Sequence, residues 1–348
     1  MKSNPLNPLK TAARLLVLAA LGAHLALLAL QNLGLAPVWL AELSRFLPFY
    51  WMLLPLAGAV LAAVLLRPLW LLAALCNLLL FGYSTMDWHW TLQPEPAQAG
   101  RPLRLLSYNI KALYAAHQVD GFAGIEREVA QHQPDLVALQ DAQQWLSTGD
   151  SRVPEMARSV FGLPYVMAFD QYVLASRYPL TDCEGGHLGS GDGAGHFLRC
   201  SARIGETAVQ VVTAHFVSPR EGLVAAKTEA HGGVEEWQYN LARRLVQSQT
   251  LLAQLVHLPR PLILMGDLNA PEQSVVVENL KHAGLRDAFA EGGRGWGYTH
   301  GHALSQGLDL FRIDHILLSA DIRVQHAEVG GGEASEHNPV IADVLIAP

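Results

Sequence analysis

Negative charge is almost absent from the first ninety residues of this 348-residue chain, which hold two acids, Glu42 and Asp87, beside five bases, Lys2, Lys10, Arg14, Arg45 and Arg67. Charge of either sign is missing from three stretches within them, 15–41, 46–66 and 68–86. A helix that crosses a bilayer needs about 20 mostly apolar residues. The pattern therefore predicts three transmembrane helices, at about 15–36, 46–66 and 68–86. The first stretch is too long for one simple span, so its helix is expected to end near Gly34–Pro37. His24, Pro48, Pro55 and Asn77 interrupt the apolar character, and neighbouring helices can satisfy them. A cleavable signal peptide at 15–30 is the competing reading, against which the two further spans argue.

Cysteine is scarce as well, with three in the chain. Cys76 falls in an expected span and reads as a small apolar filler. Cys183 and Cys200 flank a Gly-rich stretch between two strand-like runs. Outside the cytoplasm they form a disulfide, and otherwise they are two buried thiols; the sequence leaves both open. A basic excess is missing too. The first ninety residues leave 29 of the 31 acids and 19 of the 24 bases to the remainder. That remainder has no basic stripe, which argues against strong non-specific DNA binding. No internal repeat is present. The run Gly189-x-Gly191-x-Gly193-x-Gly195 opens no helical pattern, which excludes a dinucleotide fingerprint. Imidazole-rich or soft ligand clusters are lacking, which argues against an unrelated transition-metal protein.

What charge the amino-terminal part does carry sets an orientation. Lys2, Lys10 and Arg14 precede the first span and Arg67 separates the last two, so the positive-inside bias keeps the amino terminus in the cytoplasm. Three spans then place the rest of the chain outside. Trp39 and Trp51 near one turn, and Tyr83, Trp88 and Trp90 after the last span, suit the membrane interface. A Pro-rich linker, 91–103, leads into a domain at 104–348.

In that domain strand-like and helical runs alternate, which predicts a mixed α/β fold. Strands are expected at 103–110, 135–139, 173–176, 198–204, 208–214, 262–265, 313–319, 322–329 and 340–346. Helices are expected at 124–133 and 235–258, the second with Arg243, Arg244 and Gln247 away from its apolar face. Polar residues recur at strand ends. Asn109 follows Leu-Leu-Ser-Tyr; Gln140-Asp141 follows Leu-Val-Ala-Leu; His215 follows a β-branched run; Asp267 and Asn269 follow Leu262–Met265. Arg312-Ile313-Asp314-His315 opens a strand, and Ser335-Glu336-His337-Asn338-Pro339 precedes the last. Gly266 is expected to permit a sharp bend, with Asp267 and Asn269 pointing the same way beyond it. An ordinary Asx-type turn is the plainer reading of that Asp-x-Asn taken alone. His300 and His302 are spaced for a transition metal but more simply lie on a loop, and His315 reads as structural.

In this order the motifs resemble the endonuclease/exonuclease/phosphatase superfamily across roughly 103–348. The resemblance implies a four-layer α/β sandwich, two mixed β-sheets flanked by helices, and divalent-metal-dependent hydrolysis of a phosphoester. It implies Asp141 and Glu336 as ligands of Mg²⁺, with Mn²⁺ an alternative, and His337, oriented by Asp314, acting at the phosphate. Asp267 would align or deprotonate the attacking water, while Asn109, Asn269 and His215 would hold phosphate oxygens. Hard oxygen donors and charge neutralisation are what such chemistry requires. Two departures stand out. The family usually has Glu where Asp141 stands and Asp where Glu336 stands. Lys111 occupies a position where some nuclease branches carry an acid, which argues against a second metal. The expected protein is a multi-pass membrane phosphohydrolase, of phosphodiesterase or nuclease type, with a periplasmic catalytic domain. Its substrate is a lipid, envelope-derived or nucleic-acid phosphoester. A membrane-anchored binding or sensor protein on the same fold is the alternative.

Overall fold

The computed structural model describes residues 8–91, 100–143, 161–189, 195–301, 307–331 and 334–347. Most of the expected linker, the centre of the Gly-rich run and His302 lie outside them. The chain divides into two compact units, Met1–His89 and Trp90–Pro348.

The first unit holds four helices: α1 (Pro8–Asn32), α2 (Val38–Ser44), α3 (Tyr50–Ala63) and α4 (Pro68–Ser84). Of these only α1, at 25 residues, is long and apolar enough to cross a membrane. This corrects the expectation of three spans. Helices α3 and α4 have 14 and 17 residues, and at 1.5 Å per residue they reach about 21 and 26 Å against a bilayer core of about 30 Å. Proline sets the boundary between them. Arg67 is extended (ψ 154) ahead of Pro68, as a residue before proline prefers, and the chain leaves the helix before it. Helix α1 stops at Asn32, and Gly34 (φ 64) turns the chain where the sequence suggested. The polar interruptions find partners: His24 Nδ1 lies 2.7 Å from Asn77 Oδ1, and its Nε2 3.2 Å from Thr85 Oγ1. Much of the outer surface stays apolar, with Leu15, Leu25, Leu54, Leu61, Leu69 and Leu79 exposed.

The second unit is built on two six-stranded mixed sheets. Its strands are β1 (Arg101–Asn109), β2 (Leu136–Gln140), β3 (Tyr165–Phe169), β4 (Tyr172–Ser176), β5 (Leu180–His187), β6 (His196–Ile204), β7 (Thr207–His215), β8 (Leu262–Asp267), β9 (Leu285–Asp287), β10 (Asp314–Ser319), β11 (Ile322–Val329) and β12 (Val340–Ile346). One sheet runs β11-β12-β1-β2-β4-β3 and the other β9-β10-β8-β7-β6-β5. Each has a single parallel pair near its middle, β1 with β2 and β7 with β8. A parallel pair needs a crossover. Helix α6 (Ala123–His132) lies in the first crossover, after the short α5 (Ala112–Ala116); α7 (Arg220–Thr228) and α8 (Ala230–Leu255) lie in the second. Two shorter helices follow, α9 (Val275–Lys281) and α10 (Ala288–Gly292).

Alternation along the strands makes the layers. Leu105, Ala138 and Leu174 of one sheet share a core with Val209, Ile263 and Ile316 of the other. The opposite faces of β1 and β2 give Leu106, Tyr108, Val137 and Leu139 to a second core with Ile125 and Val129 of α6. Two mixed sheets with helices outside fit the expected sandwich. Cys183 and Cys200 are joined by a disulfide between the edge strand β5 and its neighbour β6, beside a shift in pairing register. That resolves the choice the sequence left open; Cys76 is a free, exposed thiol.

Candidate active site

Both parallel pairs end at one place. Asn109 closes β1, Gln140 closes β2 just before Asp141, His215 closes β7 and Asp267 closes β8. Gln140 Nε2 donates to Thr213 Oγ1 at 3.0 Å, tying the two sheets together one residue below the site. Tyr172 adds a second tie: its hydroxyl donates to the His196 carbonyl at 2.6 Å and accepts from His215 N at 2.9 Å.

Asp267 is 1% exposed and sits at the centre. The chain does not bend at Gly266, because β8 continues through Asp267 in register with β7 and β10. A Cβ at Gly266 would lie 1.9 Å from the Ala214 carbonyl oxygen, so glycine is needed there for close approach of backbones. The bend comes at Asn269, whose φ is 50. Its backbone N–H donates to Asp267 Oδ1 at 2.9 Å. The plain Asx turn and the candidate catalytic residue are thus the same structure. Asn269 does not point alongside Asp267; its Nδ2 donates to the Phe216 carbonyl at 2.9 Å.

The second oxygen of Asp267 faces the other candidates. Asn109 Nδ2 donates to Oδ2 at 2.8 Å, His215 Nε2 lies 3.4 Å away and His337 Nε2 3.8 Å away. Each of these neighbours is itself held. Asn109 Oδ1 accepts from Lys111 N at 3.0 Å, which turns the amide nitrogen toward Asp267. His215 Nδ1 lies 2.6 Å from Gln171 Oε1. His337 Nδ1 donates to Asp314 Oδ2 at 2.9 Å, and Thr299 Oγ1 donates to the same oxygen at 2.6 Å.

Burial dominates the electrostatics. Desolvation lowers the His337 pKa to about 4, the Asp267 charge opposing it. The ring is therefore neutral at pH 7, with its proton on Nδ1 and a lone pair on Nε2 toward Asp267. Desolvation likewise raises Asp314 to about 6, with the Thr299 hydrogen bond working the other way. His300 stacks on His337 with ring centroids 4.4 Å apart and donates from Nδ1 to the Glu336 carbonyl at 2.9 Å. Burial, and then the neighbouring His337, lower His300 to about 4 as well.

The two acids expected to hold metal differ from this group. Asp141 follows β2 with φ 54, and its Oδ2 lies 3.2 Å from Lys111 Nζ. Glu336 Oε2 lies 3.3 Å from Arg220. Both carboxylates are partly exposed, at 28% and 19% of the side chain. Each already faces a positive group that stands in for a cation, and carboxylate oxygens suit Mg²⁺ or Mn²⁺. These residues fit a divalent ion. Asp267, Asp314 and His337 also bring ligand atoms within 4.8 Å of one another. Hydrogen bonds engage three of their four carboxylate oxygens; Asp314 Oδ1 is buried without one. That trio is better suited to moving a proton than to holding a metal.

Four contributors escaped the sequence reading: Thr299, Gln171, Tyr172 and Arg244. Arg244 does not lie on an outer face. It is fully buried over the Trp237 ring at 5.1 Å, and its Nη1 donates to the Asn269 carbonyl at 3.1 Å. The signal was present, since Trp237, Asn240, Leu241, Arg244, Gln247 and Leu251 share one helical stripe and all are buried. His315 is structural, as expected, between Asp287 Oδ2 at 2.8 Å and the Ala270 carbonyl at 2.9 Å. A cleft of about 590 Å³ opens beside His215, with Lys111, Gln171, His196, Arg220 and Arg243 in its walls.

Residues 106–337, two-thirds of the chain, match the sequence profile of the Endonuclease/Exonuclease/phosphatase family. No protein of curated function matches the chain. Among solved structures, the 3′-5′ exonuclease NExo from Neisseria meningitidis is 17% identical, with TM-score 0.51 over 69% of this chain and 98% of that one. Truncated Caenorhabditis elegans TDP2 is 16% identical, with TM-score 0.51 over 70% and 97%. The endonuclease/exonuclease/phosphatase from Bacteroides vulgatus is 18% identical, with TM-score 0.51 over 71% and 99%. At these identities the likeness is one of fold.

Proposed function

The chain belongs to the endonuclease/exonuclease/phosphatase family, and from that premise and the geometry of the site we propose that it is a membrane-anchored, divalent-metal-dependent phosphohydrolase of phosphodiesterase or nuclease type. The observation that carries this reading is the convergence on Asp267 Oδ2 of Asn109, His215 and His337 at 2.8, 3.4 and 3.8 Å. A buried carboxylate fixed on one oxygen by its own turn, with the other oxygen faced by Asn109, His215 and His337, is placed to take a proton from water. Asp141 and Glu336 would hold the ion, Mg²⁺ or Mn²⁺. When bound, it supplies positive charge to the phosphate oxygens, the main requirement for attack on a phosphodiester.

The remaining work falls to the chain itself. Asn109 and His215 keep Asp267 Oδ2 in place and lie where phosphate oxygens would be received. Asn269 shapes the turn that fixes the other oxygen. Burial keeps His337 neutral at pH 7. An arriving phosphate anion favours its protonation at Nε2, after which the ring donates to a phosphate oxygen. Asp314 and Thr299 hold the ring through that change. The substrate class is a phosphoester, with lipid, envelope-derived and nucleic-acid sources separated by assay.

Anchoring rests on α1 and on the exposed leucines of the first unit. Lys10 and Arg14, in its first two turns, favour a cytoplasmic amino terminus. An odd number of spans then puts the catalytic unit outside, and the Cys183–Cys200 disulfide agrees with an oxidising compartment. A reporter active only outside the cytoplasm, fused after Pro348, should give signal; a silent fusion reverses the orientation. For the activity, the full-length chain is assayed on phosphodiester, phosphomonoester, lipid and nucleic-acid substrates, with Mg²⁺ and with chelator. Turnover that requires the ion and disappears in Asp267→Asn is the expected result. Turnover that survives either treatment overturns the mechanism.

A further inference from the structure

Lys111 and Asp141 are both departures from the family pattern, and the structure sets them against each other. Their contact is built into the backbone rather than left to a long side chain. Lys111 (φ 42) and Asp141 (φ 54) both occupy the left-handed region, which is strained for a residue with a Cβ. Two hydrogen bonds keep them there: Lys111 N donates to Asn109 Oδ1 at 3.0 Å, and Ala112 N donates to the Asp141 carbonyl at 3.0 Å. Lys111 Nζ then reaches Asp141 Oδ2 at 3.2 Å, with both side chains about three-quarters buried. Aspartate, one methylene shorter than the usual glutamate, keeps its carboxylate close to the strand end, beside the lysine.

We infer that Lys111 is a resident cation that competes with the divalent ion for Asp141, so that the metal enters only by displacing the ammonium. The inference rests on the metal assignment made above. It follows from charge: one carboxylate cannot give full attraction to an ammonium and a divalent ion at once, since the two cations repel each other at that range. With Lys111 in place the ion is held less tightly than the carboxylates alone would hold it.

Mn²⁺ binding to the full-length chain in mild detergent, followed by electron paramagnetic resonance without substrate, tests this directly. Lys111→Asn keeps a residue tolerant of the left-handed region and removes the charge. It should bind Mn²⁺ roughly two- to fivefold tighter, the size expected for a partly exposed ion pair. Lys111→Gly, free of backbone strain, should tighten binding similarly, while Lys111→Arg should bind as the unaltered protein does. Unchanged or weaker binding in both Lys111→Asn and Lys111→Gly, alongside loss of binding in Asp141→Asn, overturns the competition and leaves the metal assignment standing. Binding that Asp141→Asn does not alter, or no Mn²⁺ binding in any variant, removes the metal assignment and the inference with it.

Discussion

Asp267 and Asp141 occupy equivalent places, each at the end of a strand from a parallel pair, one in each sheet. Their surroundings are opposite. Asp267 is fully buried and both its oxygens accept hydrogen bonds from amide groups of fixed position. Asp141 is partly exposed and meets only the end of a lysine among the described residues. On the proposed roles, the proton-handling side of the site is locked by hydrogen bonds, whereas the metal side is held by ion pairs that another cation can replace. Rigid hydrogen-bonded geometry gives transition-state alignment at no cost during the reaction. Exchangeable ion pairs give a site that can be filled and emptied.

The largest expected effect comes from breaking the locked side. Asp267→Asn should lower kcat/KM by about 10³- to 10⁴-fold, the upper part of the 10²- to 10⁴-fold range for a positioned general base, while circular dichroism melts stay near those of the unaltered protein. A tenfold loss or less would move the base elsewhere. Asp314→Asn should cost on the order of 10²-fold, because the His337 ring loses its carboxylate acceptor.

The pH profile sharpens the same contrast. Burial raises Asp314 to about 6, so the carboxylate that holds His337 takes up a proton as pH falls through that value. Activity should therefore decline below pH 6 and flatten above it. A profile flat from pH 5 to 8 would remove Asp314 from the mechanism.

Changes on the metal side should be smaller. Asp141→Glu and Glu336→Asp should each weaken metal binding by about tenfold or more. The double variant should recover part of the loss if the exchanged acids compensate in reach; a double variant worse than both singles contradicts that. Smallest is Arg244→Met, which leaves the Asn269 carbonyl without its donor. It should reduce stability by about 1–3 kcal/mol and lower kcat a few-fold with KM little changed, read from a denaturant melt and steady-state kinetics.

These contrasts were unevenly legible in the sequence. Asn109, Asp141, His215 and Asp267 could be read because each follows a continuous apolar run, and buried strands in the middle of a sheet must be apolar on both faces. Strand β3 was missed because it lies at an edge and its residues are only partly covered. The role of Gly266 was misread because close approach of two backbones leaves no local trace. Arg244 and Gln247 share the stripe of α8 that carries Trp237 and Leu241, a spacing the sequence shows, but their polar side chains made them read as surface residues. Three spans were expected from uncharged stretches alone, whereas the helices within two of them are only 14 and 17 residues long.

The two ties between the sheets, Gln140 to Thr213 and Tyr172 to His196 and His215, lie directly beneath the catalytic residues. Asn109 and Asp141 belong to one sheet, and His215, Asp267 and Asp314 to the other. A chain in which only one sheet has formed therefore contains half an active site and no means of hydrolysis. Catalytic competence appears only when the sandwich closes, which makes activity itself a gauge of complete folding.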